Sequence, residues 1–392
     1  MNAQRLVSLA RFLFIFLCAI PWPVQLLADT LPPCTLRIQN NGDGTMNIII
    51  QGAPATRYPL QAATDLAAGN WIILSTNLTG PDGLATFTDL EASQFAARFY
   101  RSGEGYPVPP QTRDYFAAAI AAKDNISISG GAVVDSFDSS SAQASSNGNY
   151  DPAKCRATAA VVTNSKTKSA IKVGTAHIYG RVATGPGGMA TTDSSGAVGD
   201  IAWNASHTGI QPGHNSSDMN ADYPDQVSPA SSLLTPSPGS YNGTNYTYAL
   251  GNGDYAMSAL TVSGGQSLVV SGNATLHVTG NATVSGSGFI YIAPGASLQL
   301  YVGGSKATLS GGGIVNGTGL AANFSYHGLP ANTSLTYSGS AAFIGTVNAP
   351  EAAFTLSGSA GMCGACIVNS FTSSGGASVH YDERLAAQPF LR

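Results

Sequence analysis

The stretch at residues 259–302 reads ALTVSGGQSLVVSGNATLHVTGNATVSGSGFIYIAPGASLQLYV, and it decides the fold. Short apolar alternations stop again and again at Ser-Gly or Thr-Gly: Leu260/Val262, Leu276/Val278, Phe289/Ile290/Tyr291/Ile292 and Leu298/Leu300/Val302. The pairs Ser263-Gly264, Ser271-Gly272, Thr279-Gly280 and Ser285-Gly286 fall 8, 8 and 6 residues apart. Strand-length runs that glycine interrupts so often predict a stack of short strands, not helices and not an ordinary sandwich. The expected fold class is therefore all-β, with a right-handed parallel β-helix (a β-solenoid) as its main part.

Composition supports that expectation. Of 392 residues 46 are Gly, only 10% are charged and 43% are hydrophobic. A soluble domain averages about 25% charge. Such a surface is solvated by Ser, Thr, Asn and backbone, as in many extracellular β proteins. Clustered Lys and Arg, the signature of a nucleic-acid binder, are missing, so no nucleic-acid partner is expected. The hydrophobic fraction and its alternation argue against a disordered chain.

The first 28 residues read as a secretory signal peptide. Arg5 and Arg11 supply the basic region, residues 12–20 the apolar run, and Ala28 a cleavage position. Pro21 and Pro23 interrupt the segment, which makes it a poor membrane-spanning helix. No second long apolar segment follows, so no transmembrane segment is expected in the mature chain. Four cysteines remain after cleavage (Cys34, Cys155, Cys363 and Cys366), an even number that permits two disulfides in an exported protein. The expected location is secreted or at the cell surface.

Residues 34–102 form a first module of strand-sized runs with Gly or Pro turns, which predicts a small antiparallel β-sandwich. Trp71 is expected in its core, and Arg98 and Arg101 are expected to flank a strand. Its pattern YPLQAATDLAAGNW…GLATFTD…ARFYR resembles a module of secreted Verrucomicrobia proteins that closes on an RFYR strand. Residues 103–113 read as a Gly/Pro-rich linker.

Residues 114–385 are the predicted β-helix. DYFAAAIAAK at residues 114–123 has Asp114 as an N-cap and Phe116, Ile120 and alanines on one face. It is expected to be a short helix capping the N-terminal end of the stack, because unpaired strand edges need covering. Residues 185–253, rich in Gly, Asn, Ser, Asp and Pro, read as an irregular insertion, which at that length tends to be functional.

Several segments across residues 126–385 resemble one bacterial domain. They include AVVDSFDSS (132–140), HIYGRVATGPGG (177–188), FIGTVNAPEAAFTLSGSAGMCGACI (343–367) and VHYDERL (379–385). That domain occurs in secreted and envelope proteins, some of them similar to pilus-assembly components, and closes on a hYDe-L motif. The resemblance implies a solenoid fold and an exported location; no catalytic residue comes with it.

Three clusters could carry chemistry. Cys363-Gly364-Ala365-Cys366 is a C-x-x-C in a strand-and-turn context, which points to a local disulfide rather than a thioredoxin-like redox site. Asp218, Asn220, Asp222 and Asp225 place oxygen side chains at alternating positions that could wrap calcium. Tyr223 and Pro229 stand where an EF-hand needs Gly and Glu, so a solvated polar turn is the competing reading. His380-Tyr381-Asp382-Glu383 reads as a C-terminal cap that hydrogen-bonds the last coil. A lyase or hydrolase groove would need paired carboxylates or a carboxylate with Lys/Arg on one face. Asp135 and Asp138 with Lys172, His177 and Arg181 are the nearest approach to one. Residues 255–379 contain only Lys306 and Glu351 as charged residues. The expected role is structural or adhesive, at the cell surface or in extracellular matrix. Extracellular polysaccharide or other envelope components are the expected partners, no cofactor is expected beyond calcium, and the alternative is a polysaccharide-active lyase or hydrolase.

Overall fold

The computed structural model describes residues 34–54, 56–66, 69–80, 82–102, 106–107, 116–229, 234–358 and 361–387. The signal-peptide region, most of the linker, and Asp114 lie outside them. The described residues are mostly strand. None of their helices is long and apolar enough to cross a membrane.

The first module has two antiparallel sheets. One orders Thr35–Asn40, Met46–Gln51 and Leu84–Asp89; the other centres on Thr56–Ala63, flanked by Ile72–Leu78 and Phe99–Ser102. Alternation in MNIIIQ buries Ile48 and Ile50, and Tyr58, Leu60 and Ala62 are buried from the second sheet. Arg98 pairs with the buried Asp89 at 2.6 Å, and Tyr100 Oη donates to the same carboxylate. Trp71 departs from the expectation. It is only half-buried and lies under the Arg101 guanidinium, 4.2 Å from the ring centre, because its strand starts one residue later and leaves the indole at the sheet margin.

From residue 116 onward, parallel strands stack in three columns, or faces. The first face runs Gly253–Met257, Asn273–Val278, Ser297–Val302, Phe324–Gly328 and the first half of Phe343–Ser357. Along it Tyr255, Leu276, Leu300, Tyr326 and Val347 are register partners, 21 to 26 residues apart. The second face stacks Leu260–Val262, Ala282–Val284, Lys306–Leu309 and Ser334–Tyr337. The third stacks Thr244–Leu250, Ser267–Val270, Phe289–Ile292 and Gly313–Asn316. One circuit of the three faces makes one rung, and the Gly-marked pairs of residues 259–302 lie at or beside the corners between faces.

The rungs are not stacked in chain order. The strand Met362–Ser374 receives, on its open edge, the first strands of this part of the chain. Cys366 pairs with Ile120 and Phe371 with Ile126, while Val379–Asp382 pairs with Val133–Phe137. The stack then continues through Ala159–Thr163, His177–Ala183 and Asn215–Ser216. The inward residues Tyr255, Leu276, Leu300, Tyr326, Val347, Cys366, Ile120, Val161 and Val182 thus form one buried line through both ends of the sequence. At about 4.8 Å per rung, its eight steps span roughly 40 Å. Each fully buried Leu, Ile or Val in it contributes about 1.5–3 kcal/mol.

Two expectations are corrected here. The alanine-rich 114–123 segment is not a capping helix in its described part, where Ile120–Ala122 is a strand. Alanine favours helix by under about 1 kcal/mol per residue. Burial of all three residues, with ladder partners on both sides, outweighs that preference. Residues 185–253 are likewise not an insertion. Ala190–Thr191, Ala197–Gly199, Gly209–Ile210 and Asn215–Ser216 complete the last rungs at one end. The antiparallel hairpin Ser237–Tyr241/Thr244–Leu250 starts the other end. Between them a strap descends the first face. Met219 N–H donates to Thr184 O, Ala221 exchanges bonds with Asn164, Gln226 bonds His327, and Leu234 bridges to Tyr255.

Candidate functional site: the junction of the first and last rungs

A buried polar cluster lies where the chain's end meets its beginning, on the third face. Register places Cys363 beside His380, and His380 beside Asp135, on three adjacent parallel strands. His380 Nδ1 is 2.6 Å from Asp135 Oδ1, and Asp135 is buried. Tyr150 Oη donates to Asp135 Oδ2 at 2.6 Å, and its ring stacks on the His380 imidazole at 3.6 Å. The Cys155 thiol is near enough for burial and the Asp135 charge together to raise it. One buried carboxylate therefore gathers a histidine from the last rung with a tyrosine and a thiol from residues 138–158, which cover this face.

The other motif residues act the same way. Tyr381 Oη donates to Phe116 O. Asp382 Oδ1 accepts from Ser139 N–H at 3.0 Å. Glu383 pairs with Arg156 at 2.8 Å and accepts from Thr158. HYDE is thus a clasp closed on the first rung. It was expected to bond the last coil, but the surface above it belongs to residues some 240 positions earlier.

Burial pushes the Cys363 thiol up to about 12, with the charges of Asp135 and Asp382 adding to the effect. Burial also raises Cys155, and raises the Tyr150 phenol further with help from its bond to Asp135. A nucleophilic cysteine needs a lowered pKa, and both thiols are shifted the other way. The arrangement holds two ends of a chain together; it does not activate a thiol.

The expected Cys363–Cys366 disulfide is not formed: both thiols are free, as are those of Cys34 and Cys155. Both residues sit in the continuous strand Met362–Ser374. Three residues of extended chain span about 10 Å, beyond the roughly 7 Å a disulfide tolerates. Cys366 instead fills the inward line between Val347 and Ile120 as a small apolar side chain.

The calcium candidates do not converge. Asp218 and Asn220 line a cleft beside Arg181, Asp222 borders a neighbouring one, and Asp225 lies 3.8 Å from Lys123. The strap crosses rungs as it descends, so its first and last acids are set roughly 10 Å apart. Calcium ligands must all reach within about 2.3–2.6 Å of one ion. Among the described residues no group of three or more His, Cys, Asp or Glu is placed to hold a metal. The charged residues weighed for a groove are also dispersed. Asp135 and His177 are on the third face, Lys172 on the second and Arg181 on the first.

Tyr150 is not singled out in the sequence, and Cys155 is taken there only as one of four thiols available for disulfides. Their only signal is an aromatic and a thiol inside a Ser/Asn-rich excursion.

Residues 214–388 match the model of a family described as a domain of unknown function (DUF7305). The match covers the strap, the C-terminal rungs and the clasp, but not the rungs on which the clasp closes. Neither a curated protein nor a solved structure gives a significant match.

Proposed function

We propose that the chain is an exported structural or adhesive protein of the cell surface or extracellular matrix, built on a right-handed parallel β-helix with weak glycan binding on its faces. The observation that carries this reading is the long ladder of parallel strands with almost no charge on it. From Tyr255 to Val379 the only charged residues are Lys306 and Glu351, and Glu351 is engaged by Lys123. That surface lacks the paired carboxylates a glycosidase mechanism uses. It offers Ser, Thr and Asn hydroxyls and amides, which suit low-affinity contact with polymer. The right hand follows from the rule for parallel strands joined by crossovers. The test is a glycan array and polysaccharide-hydrolysis screen on the purified chain, with fractionation of cells that produce it. Binding without turnover, and recovery outside the cell, are expected. Turnover of any polymer would favour a lyase or hydrolase, and retention in the cytoplasm would remove the exported role.

A further inference from the structure

Where the strap crosses the first face it leaves a cleft of about 440 Å³. Its floor follows the outward register line Asn348, Ile367, Ala121, Val162. Three rung steps make this floor about 14 Å long, the reach of about four extended residues. Met219 and Tyr223 of the strap pack over it. Two polar atoms on the lining are buried without a hydrogen-bond partner among the described residues: Tyr223 Oη and Asn348 Oδ1. Asn348 itself is 4% exposed.

A buried polar group left unpaired costs about 1–3 kcal/mol. Here one orphan is an acceptor and the other a hydroxyl donor, on a lining otherwise mostly of methyl and methylene groups. A secondary amide supplies the complement: its N–H to Asn348 Oδ1, its C=O to Tyr223 Oη. Arg181 and Asp222 border the cleft with opposite charges, so it selects neither sign. A sugar ring would leave most of its hydroxyls against alkyl walls. A fatty chain would leave both orphans unpaired. We propose that this cleft binds a short extended peptide segment bearing small apolar side chains.

The test uses the full chain and the blocked peptide acetyl-Ala-Val-Ala-Val-amide, followed by saturation-transfer NMR and thermal shift, with N-acetylglucosamine as the comparison ligand. Methyl resonances of the peptide should receive saturation from the wild-type protein. Affinity should fall about tenfold in Asn348→Leu and in Tyr223→Phe, each losing one hydrogen bond. Both variants remove an orphan group without adding a polar one, so their melting temperatures should not drop. A third variant, Ala160→Leu, should block the cleft. No transfer from the wild type, unchanged affinity in Asn348→Leu, or a response to N-acetylglucosamine alone would each overturn the proposal.

Discussion

His380 and Asp135 are 245 residues apart in the chain and 2.6 Å apart in space. They face each other because the last rung is laid against the first, not against the end of the stack. Asp135 accepts from His380 and Tyr150 together, so its removal strands two donors. Asp135→Ala should cost about 3–5 kcal/mol and His380→Ala about 1–3 kcal/mol. Urea unfolding followed by circular dichroism measures both. Changes below about 0.5 kcal/mol in the two variants would mean that the clasp contributes nothing to stability.

Asp382 gives a pH signature. Burial raises its folded-state pKa above the usual carboxylate value, against the bonds from Ser139 and Arg384. A raised folded pKa favours the protonated form, so its contribution is fully present in acid and is lost as pH rises through the folded value. Asp382→Asn keeps an acceptor for the Ser139 amide and removes the charge. Its melting temperature should exceed wild type at pH 7, and the gain should vanish below about pH 4. Equal gains at both pH values would contradict the assignment.

The thiols behave oppositely to a redox site. Burial raises Cys363 to about 12 and also raises Cys366. In the native protein at pH 8 neither should react with iodoacetamide, and both should react once unfolded. A reductant should leave the melting temperature unchanged. Stability should fall above pH 9, the ordinary thiol value, and keep falling towards 12 as the unfolded chain ionises first. A Cys363–Cys366 disulfide in a non-reduced peptide map would refute this account.

Gly364 is required where strands approach most closely. Its φ is +144°, and a Cβ there would sit 1.8 Å from the carbonyl oxygen of Gly345 on the rung below. Gly364→Ala should cost more than about 3 kcal/mol or abolish folding. Gly265→Ala, which meets nothing within 4 Å, should change stability by less than about 1 kcal/mol. Equal yields and melting temperatures for the two variants would refute the packing.

The rung pattern was legible because it is local. Leu276, Leu300 and their neighbours alternate in and out, and four of the five corners within residues 259–302 carry a Ser-Gly or Thr-Gly. Rung order was not legible. Ile120–Ala122 and Phe324–Gly328 offer the same backbone edge, and nothing near either states which rung will cover it. The misread alanines of 114–123 have the same origin: their partners, Cys366 and Val161, are remote and set the conformation. HYDE was recognisable as terminal and polar. Its partners Asp135, Ser139 and Arg156 belong to segments that carry no mark of it. Disulfide and calcium readings failed for a simpler reason. Both assumed that residues close in sequence converge, whereas extended chain carries them apart.

The clasp also fixes how the molecule meets mechanical load. Both flanks of the stacked part, before Phe116 and after Leu385, leave from its middle rungs. Tension between them does not peel rungs from either end. It enters at Ile120–Ala122, which lies in parallel on Cys366–Val368, and leaves at Val379–Asp382, which lies in parallel on Val133–Phe137. That is a shear geometry, in which every ladder bond of the junction is loaded at once and the rungs on either side stay unstressed until it yields.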